Sequence, residues 1–401
     1  MSKLNIQKSA GLTITAFMSL AMVGVFHTIL GTALPAMRLS FEMSVSQSGL
    51  LALVAWLGFT AAVFLGGALS DIFTRQRIMM LACLTTGLGS ILLGAWRPVV
   101  ANVILVSVVG AGTGIIVSSS SALIMDLYPR REGMIMNIHH FFYAVGAIGG
   151  PLAMGYVLQR GWHWKLVYRT GGIFMLILAG LSTPLKRSGL EGSHMSYGSF
   201  LLLVKDKKLI LLVLLTIFSI GTQNGIIFWL VSFLKEVGLF SISKAGLGLS
   251  LLSAGMALGR LLSGWLAAKL GNSRVLLFLL ILLSVALLLF HSVPATDLIL
   301  SLCFLTGIFC SGLFPCLLAL GGISFPHMSG TTLGILGMAA GIGSSFISWS
   351  MGIVSEITSM KGGFFVTNVA ILVSLAVFLV GFKGLRESEQ SYCFKEEYHH
   401  E

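Results

Sequence analysis

Two polar residues lie deep within apolar stretches of the chain and are the first candidates for chemistry. His27 is flanked by glycines in one apolar run, and Asn224 lies in another run 197 positions later. Histidine titrates near neutral pH, so His27 can carry a proton as well as bind a solute. A polar or ionisable residue within a membrane helix is a functional candidate by default, although histidine and asparagine also hydrogen-bond between helices. We predict that both residues line a solute site and that His27 takes part in proton coupling.

Charged residues within apolar stretches form a second, smaller group. Arg260 has no acidic neighbour in such a stretch, because none of the 14 acidic residues lies at the middle of an apolar segment. Its planar guanidinium suits a carboxylate; alternatively, it snorkels to the membrane interface or binds helix carbonyls. Asp126 lies at the end of its segment and is a further candidate for proton coupling. The lack of buried acids disfavours sodium coupling, since a hard cation prefers oxygen ligands and negative charge.

The composition excludes a water-soluble protein. The 401 residues are 56% hydrophobic and 10% charged, with a mean hydropathy of +0.96, whereas soluble chains are roughly 25% charged. The net charge of +11 is scattered rather than clustered, so nucleic acid is not an expected partner. The five cysteines form no CxxC pattern, which argues against a disulfide framework or a metal site. No nucleophile motif or phosphate loop occurs, so we expect neither an enzyme nor a cofactor.

Segments of the length needed to span a bilayer, about 20 apolar residues, recur along the whole chain. With the N-terminus in the cytoplasm, 16 of the 25 Lys and Arg residues lie inside, eight lie outside and Arg260 lies in the membrane. This asymmetry predicts that both termini are cytoplasmic. The twelve predicted spans are 11–37, 48–69, 78–96, 101–125, 134–158, 166–185, 209–234, 244–268, 275–292, 298–323, 331–355 and 363–382.

An internal repeat relates the two parts of the chain at an offset of 197 residues. The repeat predicts two six-helix halves, 1–185 and 209–385, joined by a cytoplasmic linker 186–208 and followed by a solvated cytoplasmic tail 386–401. Such duplication is typical of transporters whose halves rock around a site at the membrane midplane. The coinciding residues include Gly24 with Gly221, Gly58 with Gly255, Gly110 with Gly307, Gly146 with Gly343, and Pro129 with Pro326.

The end of the second span resembles a motif of a known family. The segment 67–77 resembles the signature of the loop between the second and third helices of the major facilitator superfamily, with Thr74 where glycine is usual. The segment 264–274 resembles a second copy, with Ala268 in place of the aspartate. The resemblance covers all twelve helices and implies the major facilitator fold. It also implies that a cytoplasmic gate is formed by Asp71, Arg75, Arg77 and Arg274.

A narrower resemblance covers the fifth span and its surroundings. The segment 127–164 is similar to the corresponding region of fucose-permease-like and related sugar permeases, and this implies that His140 faces a central cavity. Gln223 and Trp229 in the seventh span fit the same branch and are implied to bind the solute. The stretch 146–151 also resembles the antiporter motif of drug exporters, so the direction of transport stays open.

These inferences together predict an all-α membrane protein of twelve transmembrane helices in two pseudo-symmetric halves. We expect a monomer in the cytoplasmic membrane that moves a small polar organic solute, sugar-like or carboxylate, by proton-coupled alternating access. The alternative is a multidrug or lipid exporter of the same superfamily. The expected partners are the solute, protons and the lipid bilayer, with no cofactor, metal or nucleic acid.

Overall fold

The computed structural model describes residues 3–128, 132–182, 206–292 and 296–399, and within these ranges every regular element is a helix. The α-helices are α1 (Lys3–Phe41), α2 (Val45–Ile72), α3 (Arg75–Leu92), α4 (Val99–Leu127), α5 (Glu132–Gln159), α6 (Lys165–Leu181), α7 (Lys207–Glu236), α8 (Ile242–Leu270), α9 (Asn272–Ser292), α10 (Leu298–Ser311), α11 (Leu313–Ser324), α12 (Ser329–Ile357) and α13 (Met360–His399), with a 3-10 turn at Pro326–Met328.

Ten stretches of these helices are long and apolar enough to cross a membrane, and α10 with α11 counts as one of them. The two shorter helices α3 and α6, of 18 and 17 residues, complete the set of twelve. The predicted all-helical membrane protein of twelve spans is therefore confirmed.

The tenth span differs from its predicted form because it is broken. Helix α10 ends at Ser311 and α11 begins at Leu313, with Gly312 between them. Pro315 has no N–H to donate to the Ser311 carbonyl, so the helix cannot continue regularly through this turn. A Cβ on Gly312 would lie 2.5 Å from the Cβ of Ser263 on α8. The break therefore lies where a neighbouring helix approaches closely.

The last helix extends past residue 386, into the segment for which we predict a solvated tail. Helix α13 continues to His399, and Glu389 is only 8% exposed. Its carboxylate accepts hydrogen bonds from the backbone N–H groups of Asn272 (2.6 Å) and Ser273 (3.2 Å), at the start of α9. Glu389 thus caps α9, where the helix dipole favours negative charge.

By its internal contacts the chain forms two compact units. The first comprises Met1–Gly192 with Phe228–Ser250, and the second comprises Ser193–Ile227 with Leu251–Glu401. In the first, α1 packs on α5, α2 on α4, and α3 on α4 and α6. In the second, α13 packs on α9 and α12. The predicted linker 186–208 lies outside the described residues as far as 205, and the predicted halves remain a prediction.

Residues 228–250 belong to the first unit because the beginning of α8 is packed on α5. The Ser250 hydroxyl donates a hydrogen bond to the Ile148 carbonyl at 2.8 Å. A Cβ on Gly246 would lie 2.8 Å from the Pro151 carbonyl oxygen, and one on Gly155 would lie 3.2 Å from Ser243 Cα. The small residues of both helices allow this close approach.

Glycines related by the offset of 197 residues make equivalent contacts within the two units. In the first unit, a Cβ on Gly58 would collide with the carbonyl oxygen of Ser107 on α4. In the second, a Cβ on Gly255 would collide with that of Phe304, which is the repeat mate of Ser107. Gly110 and Gly307 are likewise opposed to Ala55 and Leu252. The repeat seen in the sequence is therefore also a repeat of helix packing.

Candidate functional site

His27 lies in a cluster of aromatic side chains on the first unit. Its Nδ1 is 3.2 Å from the hydroxyl oxygen of Tyr143 on α5. The ring centroids of Trp56 and Phe59, both on α2, lie 5.3 and 4.9 Å from that of His27. All four side chains are half-buried. We call these four residues the aromatic box.

The packing of α1 on α5 holds two members of the box together. A Cβ on Gly24 would collide with the Tyr143 carbonyl oxygen, and one on Gly146 would collide with the Ala21 carbonyl oxygen. The two glycines therefore bring the helix backbones into contact just where His27 meets Tyr143. Without them the helices would separate and the hydrogen bond could not form.

The packing of α2 on α4 supplies the other two members. Trp56 and Phe59 are three residues apart and so lie on one face of α2, with their rings 5.6 Å apart in an edge-on arrangement. A Cβ on Gly114 of α4 would collide with the Phe59 carbonyl oxygen. The close contact between α2 and α4 fixes where both rings lie relative to His27.

The chemistry of the box is that of a site for a flat or ring-shaped molecule with polar edges. Aromatic faces bind apolar faces of a ligand, while a small number of polar atoms fix its orientation. Among the described residues, only Tyr143 bonds to the His27 ring, and it does so at Nδ1. Nε2 is therefore the atom that His27 can offer to a ligand, as donor or acceptor according to its tautomer.

Of the predicted gating residues, Arg75 has its ionic contact with a residue outside that set, and the gate remains a prediction. Arg75 forms an ion pair with Asp126, and its guanidinium also donates to the Ala122 carbonyl. The side chains of this pair are about one-fifth exposed, at 19% and 21%. Arg77 and Arg274 are exposed. The side chain of Asp71 lies outside the described residues, although its backbone belongs to α2.

Asp126 was predicted to serve in proton coupling, and its ion pair links the end of α4 to the start of α3. A second link lies beside it, where the hydroxyl of Tyr128 is 2.9 Å from that of Thr13 on α1. The two contacts tie three helices together at one end of the first unit.

The adjacent histidines of α5 have different surroundings. His139 is completely buried and lies 5.7 Å from the Phe17 ring on α1, whereas His140 is exposed. Their rings are 5.7 Å apart. The predicted role of His140 as a residue facing a cavity remains a prediction.

The predicted residues of α7 differ in their environments. Asn224 is buried and donates a hydrogen bond of 2.7 Å to the Ser344 hydroxyl on α12. Gln223 is half-buried, and Trp229 is completely buried with the Phe228 ring against it at 5.3 Å. In this conformation Asn224 links two helices and Trp229 is a packing residue. Their predicted contacts with a solute remain predictions.

Arg260 is a half-buried cation of the second unit and lies within a predicted span. No carboxylate in the described part of the chain lies within ion-pairing distance of its guanidinium. A half-buried guanidinium with no internal counter-ion is a potential partner for an anionic group.

An ion pair between distant parts of the sequence was not predicted. Arg38, near the end of α1, pairs with Glu236 at the end of α7, with 2.7 Å between Nη1 and Oε1. The residues are 198 positions apart in the chain. No local pattern marks such a pair, because neither residue differs in sequence from an ordinary charge at the end of a span.

The aromatic members of the box were also missed. Trp56, Phe59 and Tyr143 occur in a chain that is 10% aromatic, so their presence in apolar segments carries no signal. The signal available was indirect, since the glycines at 24 and 146 mark helices in close contact, and Tyr143 lies one turn before Gly146 on that contact face.

Comparisons with known proteins identify relatives of this chain. Residues 15–240 and 212–392 each match the model of the Major Facilitator Superfamily. A protein of Haemophilus influenzae assigned to metabolite transport is 28% identical over 63% of this chain and 65% of its own length. A glucose/mannose transporter of Bacillus subtilis is 22% identical over 88% and 91%. A multidrug resistance protein B homologue of Mycobacterium tuberculosis is 29% identical, over 38% and 30%.

Solved structures share the fold. A bacterial homologue of the lysosomal transporter Spinster has a TM-score of 0.80 at 15% identity, covering 97% of this chain and 99% of the other. A D-xylose–proton symporter has a TM-score of 0.77 at 16% identity, covering 92% and 96%. At these identities the likeness concerns the arrangement of the helices alone.

Proposed function

Because the chain belongs to the major facilitator superfamily, we propose that it is a secondary active transporter that moves a small polar ring-shaped solute across the cytoplasmic membrane in symport with protons. Both termini lie in the cytoplasm in this proposal. The observation that carries it is the aromatic box, in which the His27 ring lies 5.3 and 4.9 Å from the rings of Trp56 and Phe59 and contacts Tyr143 through Nδ1, which leaves Nε2 for a ligand.

A sugar fits this site better than the alternatives. The axial C–H groups of a pyranose form an apolar face that matches an aromatic ring, and its hydroxyls can both accept from and donate to an imidazole nitrogen. The glucose/mannose relative, 22% identical over 88% of this chain, supports this class. A carboxylate solute is the second possibility, supported by the half-buried guanidinium of Arg260.

An exporter of lipophilic cations is the runner-up. Aromatic rings attract organic cations through their electron-rich faces, and the multidrug resistance homologue is a partial match. A cation in a membrane site is usually balanced by a carboxylate, yet Asp126 is already paired with Arg75. This pairing favours the neutral ring.

Alternating access requires contacts that form in one state and break in another. In the proposed orientation, the Arg75–Asp126 pair lies at the cytoplasmic end of the first unit and the Arg38–Glu236 pair lies at its outer end. We assign the first pair to the inner gate and the second to the outer gate. Each is partly exposed, so each contributes little and can be broken during a transport cycle.

The test is a thermal-shift measurement on the purified protein with D-glucose, D-xylose, lactate and tetraphenylphosphonium. A ligand at 100 times its Kd stabilises the folded state by about 2.7 kcal/mol. We expect a shift with a sugar. A shift with tetraphenylphosphonium alone would replace this proposal with the exporter.

A matched pair of variants locates the site. Trp56→Leu removes one wall of the aromatic box, and we expect it to weaken sugar binding by about 5- to 30-fold, the equivalent of about 1–2 kcal/mol. Trp265→Leu removes a tryptophan that is 57% exposed on α8, and should leave binding unchanged. Equal affinities in the two variants would remove the aromatic box from the proposal.

A further inference from the structure

His139 is a buried histidine whose ring nitrogens have no structural role in the packing of the fold. It is completely buried between α1 and α5, beside the ring of Phe17. The backbone of Ala16 faces the ring, but neither ring nitrogen has a partner at hydrogen-bonding geometry among the described residues. A buried polar atom left without a partner costs about 1–3 kcal/mol. An apolar side chain of similar size would stabilise the contact better, so the imidazole calls for a functional explanation.

The position of His139 relative to the aromatic box supplies that explanation. Tyr143 lies four residues further along α5, and residues at this spacing are neighbours on one helix face, with about 5–6 Å between their Cβ atoms. The Tyr143 hydroxyl is 3.2 Å from Nδ1 of His27. In the other direction the exposed His140 lies beside His139, with 5.7 Å between the rings. Exchangeable protons therefore occur in sequence along α5, from an exposed histidine to the box.

We propose that His139 relays the coupling proton between His140 and His27, a proposal that rests on the proton symport proposed above. His139 takes a proton from the side of His140 and becomes an imidazolium. It passes a proton to the hydroxyl oxygen of Tyr143, directly or through one water, while Tyr143 donates its own proton to Nδ1 of His27. His139 and Tyr143 end neutral, and His27 becomes the imidazolium that binds the solute through the N–H at Nε2.

The groups around this path allow the proton to move inward. On α5 the titratable groups near His139 are His140 and Tyr143, and on the face of α1 against it lie Ala16 and Phe17. The charged groups of α3 and α4 are Arg75 and Asp126, which form an ion pair, and Arg77, which is exposed. The Tyr128 hydroxyl faces Thr13.

No carboxylate of the described residues lies within ion-pairing distance of His139. No salt bridge therefore holds a proton on its ring, and a relay requires a group that releases the proton it receives.

The experiment separates proton movement from solute movement in His139→Leu and His139→Gln, reconstituted into vesicles. D-Glucose counterflow at equal pH on both sides needs no net proton transfer, whereas accumulation of D-glucose driven by a pH gradient does. We expect both variants to keep counterflow within about threefold of the wild type and to lose accumulation by about tenfold or more, as for loss of a proton-transfer group. His163→Leu, a histidine exposed outside the spans, is the matched control and should keep both activities.

Three results would overturn the relay, each in a distinguishable way. Accumulation at the wild-type level in both His139 variants would show that the proton takes another path while the proposed function stands. Loss of counterflow together with accumulation in both variants would assign His139 to helix packing. Wild-type protein that exchanges D-glucose but does not accumulate it under a pH gradient would refute the proton symport, and the relay with it.

Discussion

The contact between α1 and α5 can be tested with a single methyl group at Gly146. A Cβ there would collide with the Ala21 carbonyl oxygen, which belongs to the backbone of α1 and cannot rotate away. The substitution Gly146→Ala therefore requires a separation of the two helices on the order of 1 Å to restore ordinary contact distances.

The size of the effect follows from this displacement. Overpacking of a close contact costs about 1–3 kcal/mol, so we expect the free energy of unfolding to fall by that amount. The hydrogen bond between His27 and Tyr143 is 3.2 Å long, and an added separation of about 1 Å breaks it. Loss of one such bond is worth about 1 kcal/mol, so solute affinity should fall about fivefold as well.

Gly149→Ala is a matched control on the same helix. A Cβ at Gly149 meets nothing within 4 Å. Both substitutions replace glycine by alanine within α5, and both gain the same intrinsic helix preference of about 1 kcal/mol. The difference between the two variants therefore reports the contact with α1 alone.

The assay is thermal unfolding of both variants in the same detergent, followed by the sugar-induced shift. We expect Gly146→Ala to unfold at a lower temperature than Gly149→Ala and to lose part of the shift. If the two variants unfold at the same temperature, α1 and α5 are not in backbone contact at Gly146, and the geometry of the aromatic box derived from that contact is wrong.

Two further predictions concern ionic contacts. In a double-mutant cycle of Arg38→Gln and Glu236→Gln, thermal unfolding should show a coupling of about 0.2–1 kcal/mol, as is usual for a partly exposed pair; strictly additive effects would mean that the pair contributes nothing. Glu389→Gln should lower the free energy of unfolding by about 2 kcal/mol, because hydrogen bonds to a charged group contribute about 1.5–3 kcal/mol. The amide also has only one oxygen, so its NH2 group must face the backbone N–H of either Asn272 or Ser273. Glu387→Gln, at an exposed position, is the control, and an equal loss in both variants would mean that Glu389 does not cap α9.

The predicted spans agree with the helices to within a few residues at most ends. In a bilayer, the backbone N–H and C=O groups of a long apolar segment must hydrogen-bond to one another. Each such segment therefore forms a helix whatever its neighbours are. The tenth span was an exception that the sequence could have revealed, since Gly312 and Pro315 both lie in it. The extension of α13 past 386 could not have been predicted, because the polar segment is stabilised by the contact of Glu389 with Asn272.

The sequence by itself determined the helices, their number and the repeat, because hydropathy and the spacing of glycines are properties of the chain read in order. It also identified His27 as a candidate, since a histidine in an apolar segment stands out without knowledge of its neighbours.

Only the tertiary structure decided which groups meet. Tyr143 is 116 residues from His27, and Arg38 is 198 residues from Glu236. Asp126 could have paired with either of two nearby arginines and pairs with Arg75. Such partners depend on the rotation and separation of whole helices, which the close packing of many small residues sets together. The composition of each segment determines that it forms a membrane-spanning helix. The packing of neighbouring helices determines which side chains share a site.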